Sequence, residues 1–149
     1  EIQRMPKNPE HEFGHLWEYP LRSVCTISTH DMATLRGWWE EDPELTARYY
    51  NHVLGHWGEV PATAPGEVCE EIIRQHLQCP SLLAILSFQD WLSMDEELRY
   101  PDANAERINV PANPRHYWRY RMHLTLEELM KSHKFNEKMR GMIDETNRY

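Results

Sequence analysis

Apolar residues fall into two short continuous runs and several periodic stretches, and the two kinds of pattern predict different elements. Val24-Cys25-Thr26-Ile27, ending at Ser28, is apolar on both faces, as in a strand buried within a parallel sheet. The second run lies in SLLAILSFQDWL, residues 81–92, and ends in Gln89-Asp90. Between the runs the period changes to that of a helix. Residues 32–40 read as one helix. A second is capped by Asp42, has Pro43 at its first position, carries Leu45, Tyr49, Val53 and Trp57 at four-residue spacing, and ends at Gly58. After a Pro- and Ala-rich loop at 59–66, a third helix places Val68, Ile72, Ile73, His76 and Leu77 on one face and stops at Cys79-Pro80. A crossover of about 50 residues that contains helices implies two parallel strands, near 23–28 and 82–88, and an α/β architecture.

The rest of the chain is less periodic. Residues 1–22, with Pro6, Pro9, Gly14 and Pro20 among charges, read as an ordered surface loop. Residues 95–123 are polar, Pro-rich and aromatic, as in a long functional loop. A capping box, Thr125 to Glu128, opens a C-terminal helix through Leu126, Leu129, Met130, Met139 and Ile143, residues 124–149.

Composition then narrows the function. The chain has 149 residues, 40% of them hydrophobic, enough for one core. Its formal charge of −8 argues against nucleic acid and anionic membranes as partners. Cys25, Cys69 and Cys79 form no CxxC pair, and reduced buried thiols in a cytoplasmic protein account for them. No run reaches the ~18 apolar residues of a membrane span.

Three motifs carry candidate chemistry. HEFGH, His11 to His15, has the H-E-x-x-H pattern of zinc peptidases, which requires both histidines on one helical face and a Glu between them as general base. Gly14 inside the motif and Pro20 after it oppose such a helix, so no metal is expected. RHYWRYRMH, residues 115–123, interleaves arginines and aromatics as single-stranded nucleic-acid platforms do. The plain alternative is a loop whose arginines pair with Glu106 or Asp102. STHD, residues 28–31, is the third. Asp31 either caps the following helix or, with His30, stands at the C-terminal end of a parallel strand, where α/β enzymes place catalytic groups. Gln89-Asp90 ends the second run in the same way.

STHDMATLRGWW, CPSLLAILSFQDWL and ERINVPANPRHYWRYR, in that order, resemble the last third of the 4-α-glucanotransferases, the amylomaltase or disproportionating-enzyme family, glycoside hydrolase family 77. The likeness covers roughly residues 4 to 131. Pro111-Ala112-Asn113, where Pro-Gly-Thr is commoner, makes the chain similar to the plant-cytosolic-type branch and its bacterial relatives, and leaves the acceptor side open. The resemblance implies a (β/α)8 TIM barrel, of which residues 1–149 would be a helix-rich C-terminal portion with about two strands. It also implies a retaining mechanism with a carboxylate nucleophile, an acid/base and a stabilised oxocarbenium-like transition state. Asp31 would be the stabilising carboxylate and His30 would contact the same sugar. Gln89 and Asp90 would lie at the next strand end, with Arg107, Asn109 and Pro111 in a loop near the glucan. Of Trp38, Trp39, Trp91 and Trp118, at most one is expected to stack on sugar.

By the same resemblance, the nucleophile and acid/base precede Thr-His-Asp, and only 30 residues precede Asp31. The chain also begins at Glu1 rather than Met. A C-terminal fragment is therefore expected, inactive alone, prone to self-association through unpaired strands, and completed by the missing N-terminal part of its barrel. Its ligands would be α-1,4-glucans, with no cofactor. The rival reading is a free-standing glucan-binding or interaction module without catalysis. A zinc peptidase rests on HEFGH alone.

Overall fold

The computed structural model describes residues 1–148. Strands β1 (Val24–Cys25) and β2 (Leu83–Ala84) pair in parallel, with Val24 opposite Leu83 and Cys25 opposite Ala84. The N-terminal segment is more than a surface loop. Ile2 bridges Thr26 in parallel, and the Thr26 amide donates to Glu1 O at 3.1 Å, so residues 1–2 lie along β1 on the side away from β2.

The two strands are not buried on both faces. Cys25 and Ile27 are 0% and 2% exposed, whereas Val24, Leu83 and Ile85 are 41%, 51% and 59% exposed. Helices cover one face only, and within the described residues no second layer covers the other. A parallel sheet ordinarily needs both.

The crossover runs through α1 (Leu35–Glu41), α2 (Pro43–Arg48) and α3 (Gly66–Gln78). Helix α1 starts three residues later than the pattern predicts. Asp42 caps α2, its carboxylate accepting from the amides of Glu44 and Leu45, with Pro43 at the first position. The helix then widens into π geometry over Tyr49–Val53. It ends at Gly55, whose φ of 73° suits glycine, rather than at Gly58, and Trp57 falls outside the helix and is exposed. Helix α3 buries Val68, Ile72, Ile73, His76 and Leu77, the predicted stripe. A Cβ on Gly66, its first residue, would lie 2.8 Å from Met94 O, so only glycine fits where α3 passes the 94–96 turn.

The second apolar run is interrupted. After β2 the chain turns into α4 (Phe88–Leu92), capped by Ser87, so Gln89 and Asp90 sit in a helix and not at a strand end. A 3-10 turn, Ala103–Glu106, is the regular element within 95–123. The C-terminal helix breaks at Ser132 into α5 (Leu126–Lys131), which carries the capping box, and α6 (His133–Glu145). Helix α5 buries no residue, with Leu126 and Met130 63% and 74% exposed. Helix α6 docks Phe135 and Met142 into the core and is tied to α3 by Lys138–Glu70 at 2.7 Å and by Arg74–Glu145. All three cysteines are free and buried.

His76 is 2% exposed, its Nδ1–H donates to Ile72 O at 2.8 Å, and its Nε2 has no partner. Burial pushes its pKa from 6.5 down to about 4. The unfolded chain therefore takes up a proton that the folded chain refuses. Stability is undiminished above pH 6.5 and falls as pH drops through the window from 6.5 to about 4, by about 3 kcal/mol in all. His76→Gln is expected to remove this part of the acid sensitivity. Urea unfolding of both proteins at pH 7.5 and pH 4.5 checks it, and an equal loss in both would refute the assignment.

Candidate functional site

The site is built where both strands end. The apolar runs close in matching pairs, Ile27-Ser28 and Leu86-Ser87, and the two hydroxyls converge on one carboxylate. Asp90, fully buried, accepts from Ser28 Oγ, from Ser87 Oγ at 2.8 Å and from the Leu35 amide at 2.9 Å. The carboxylate thereby joins both strand ends to the first turn of α1. Arg4 holds the other side: one Nη donates to Ile27 O at 2.9 Å and to Ala33 O at 3.0 Å, bracketing residues 28–32, with its guanidinium 5.0 Å over the Trp38 ring. Burial pushes the Arg4 pKa down, against the attraction of Asp90.

The bracketed turn presents His30 and Asp31. Asp31 does not cap α1: Thr34 is the N-cap, accepting from the Gly37 amide, and Asp90 takes the Leu35 amide. The Asp31 side chain is 55% exposed and that of His30 51%. Asn109 Nδ2 donates to Asp31 Oδ1 at 2.6 Å, and His30 Nε2 lies 3.2 Å from Asp31 Oδ2. The Asn109 amide also donates to His30 O at 3.1 Å, which fastens the 108–110 loop to the turn from 78 residues away. Trp118, 58% exposed, leans on His30 with ring centroids 4.9 Å apart. A carboxylate has about four lone-pair sites, so both Asp31 oxygens retain acceptor capacity toward solvent.

A cleft of about 310 Å³ beside this group is lined by Thr26, Ser28, His30, Ile85, Gln89 and Glu106, among others. Gln89 is 5% exposed and its amide donates to Glu106 O at 3.2 Å, so it reaches the cleft wall while bound to protein. Asp90, at 0% exposure, has no surface to offer a ligand. Arg107 pairs with Glu41, at 3.1 Å, and Pro111 lies in an exposed turn. The structure thus brings together His30, Asp31 and Asn109, and leaves Asp90, Arg107 and Pro111 outside that group.

Beneath the cleft, Glu106 is 2% exposed, with Arg36 Nη1 at 2.5 Å and Thr34 Oγ1 donating at 2.8 Å. Burial pushes the Glu106 carboxyl above the usual carboxylate range, against the pull of Arg36 and Thr34. Arg36 also donates to Tyr100 O at 2.7 Å. Glu106 is therefore the partner of Arg36 and not of an arginine in 115–121, and Asp102 caps the 3-10 turn. Arg119 stacks on Tyr117 at 4.8 Å. Trp38 and Trp39 are buried in the core.

HEFGH forms no helix, and Glu12 is held by Arg48 Nε at 2.9 and 3.1 Å, so the general-base arrangement of a zinc peptidase is not formed. Among the described residues, the one grouping of metal-ligating side chains is His11, His15 and Glu18, away from Asp31. No helix among them is long and apolar enough to cross a membrane.

Comparison with known proteins adds a family. A family model described as 4-alpha-glucanotransferase matches residues 1–126. A 4-alpha-glucanotransferase of Oryza sativa subsp. japonica is 40% identical over 147 residues, 99% of this chain but 16% of the relative. One from Chlamydia pneumoniae is 30% identical over 138 residues, 91% of this chain and 26% of the relative. The fold is similar to that of an amylomaltase from Streptococcus agalactiae solved in complex with acarbose, with a TM-score of 0.63 and 21% identity, covering 87% of this chain and 23% of that one. The chain spans between a sixth and about a quarter of these proteins.

Removing one member of a buried ion pair strands the other charge, at a typical cost of about 3–5 kcal/mol. Glu106→Ala is expected to destabilise by about that much, and Glu106→Leu combined with Arg36→Met to recover most of it. Denaturant unfolding checks both, and a single-variant loss under about 1 kcal/mol would show that the pair does not hold the cleft floor.

Proposed function

The chain belongs to the 4-alpha-glucanotransferase family, and from that premise we propose that it is the C-terminal portion of a retaining transferase acting on α-1,4-glucans. The observation that carries this reading is the Asp31 carboxylate. It stands in the turn that follows β1, fixed through one oxygen by Asn109 and flanked at the other by His30, yet half open to solvent.

In the proposed reaction, Asp31 accepts hydrogen bonds from two hydroxyls of the sugar being transferred. These bonds strengthen as the ring flattens toward an oxocarbenium ion, so the stabilisation is realised mainly in the transition state. His30 contacts the same sugar and Trp118 offers its face for stacking, while Asn109 sets the carboxylate's angle. The nucleophile and the acid/base lie outside this chain, and no cofactor enters. The isolated chain is then inactive.

The exposed sheet face supports the barrel part of the proposal. Val24, Leu83 and Ile85 share that face, and in a (β/α)8 barrel they would point inward, where layers of apolar side chains fill the centre. The remaining strands would cover them. Without those strands the chain self-associates through this face and the free edge of β2. A cytoplasmic location belongs to the same proposal, supported by three unpaired cysteines.

In the full-length enzyme, Asp31→Asn is expected to lower kcat by on the order of 10²-fold or more, with a much smaller change in KM, since one electrostatic stabiliser of the transition state is lost. Steady-state transfer between maltodextrins measures it, and a near-normal kcat would end the assignment. Trp118→Ala is expected to raise KM by up to about tenfold with kcat less affected, the size of one lost ring contact. An unchanged KM would remove Trp118 from the glucan site.

A further inference from the structure

We propose that His11, His15 and Glu18 form a binding site for one divalent transition-metal ion of the zinc class. One donor atom from each side chain lies within 4.8 Å of the other two. His15 Nδ1 and Glu18 Oε1 are 3.3 Å apart. That is the donor–donor separation of a tetrahedral ion with ligands at about 2.0–2.1 Å, so one edge of the coordination figure already has its length. The same Nδ1 is buried, and Glu18 is out of line for a hydrogen bond, so the atom has no hydrogen-bond partner. A buried imidazole nitrogen left unpaired beside a carboxylate and a second imidazole is what an ion would satisfy.

The local fold holds the donors in place. The Glu18 amide donates to His15 O at 3.0 Å, and this 3-10 turn folds the Glu18 side chain back over His15. The His11 amide donates to Asn8 O at 3.1 Å and the Gly14 amide to Gln3 O at 2.7 Å, which fixes the segment between the two histidines. The His11 and His15 ring centroids lie 4.3 Å apart, and those of His15 and Trp17 5.0 Å apart.

Two imidazoles and a carboxylate suit Zn2+, Ni2+ or Cu2+ better than Mg2+ or Ca2+, which prefer oxygen alone. A fourth position would open toward a cavity of about 550 Å³ that His11 and His15 line together with His52, Gln75 and Cys79. Because Gln75 and Cys79 lie at the end of α3, just before β2 begins, the cavity sits at the opposite end of the strands from His30 and Asp31. Glu12, engaged by Arg48, would not activate a bound water, so the site binds metal without the peptidase chemistry its sequence suggests.

The test uses full-length protein stripped with a chelator, equilibrium dialysis against Zn2+ with elemental analysis, and the visible spectrum of the Co2+ form. One equivalent bound at micromolar free Zn2+, with the intense bands of four-coordinate Co2+, is expected. His15→Gln and Glu18→Gln should each weaken binding at least tenfold. His56→Gln, whose imidazole instead pairs with Glu71 at 2.6 Å, should leave it unchanged. If His15→Gln does not fold by circular dichroism, the exposed Glu18→Gln carries the test. Absence of a bound equivalent, or an affinity indifferent to Glu18→Gln, would overturn the proposal.

Discussion

The arrangement around Asp31 depends on the Asp90 carboxylate. It is wholly buried, and it joins two hydroxyls at the ends of β1 and β2 to the first amide of α1. A buried carboxylate is costly unless its lone pairs are occupied, and here three donors, from the ends of both apolar runs and the first turn of α1, take most of them. The cost of burial therefore enforces geometry: the ion is tolerable only when both strand ends and the helix start stand where they do. The turn of residues 29–31 takes its position from this junction together with Arg4, which bonds Ile27 O and Ala33 O, and Asn109, which bonds His30 O and Asp31.

A second buried charge does the same for the cleft floor. Arg36, on the inward side of α1, meets Glu106 and the Tyr100 carbonyl, so the long loop after α4 is fastened to the helix that follows β1. From there the chain runs directly to Asn109. Two acids that never face solvent thus place one that does. The exposed residues of the site have few contacts, and the buried ones that support them have many.

Much of this was legible in the sequence and some was not, for physical reasons. The caps of α2 and α5 and the apolar stripe of α3 are local signals, and they produced the elements they predict. The parallel pairing of the two apolar runs followed from the helical crossover. The run through residues 81–92 misled because a short apolar stretch fits strand and helix equally, and Ser87 capping α4 decided between them. The same turn carries Asp90 inward, so the acid of that polar pair marked a buried junction, while Gln89 lines the cleft. The paired serines, Ile27-Ser28 and Leu86-Ser87, were the available signal for it. Two-sided burial of the strands failed because burial belongs to an assembly of layers, and among the described residues only one face of the strands is covered. Nothing local announces that Trp118 rests on His30 from 88 positions away in sequence.

The distances in sequence over which the site turn is held have a consequence for its motion. Arg4 reaches 29 residues to Ala33, Ser28 reaches 62 to Asp90, and Asn109 reaches 78 to Asp31. Contacts that close such long loops form late in folding, after the helical core has paid the loop entropy, and they are the first released when the core loosens. The turn bearing His30 and Asp31 is accordingly expected to open, and its amides to exchange with solvent, before those of α3.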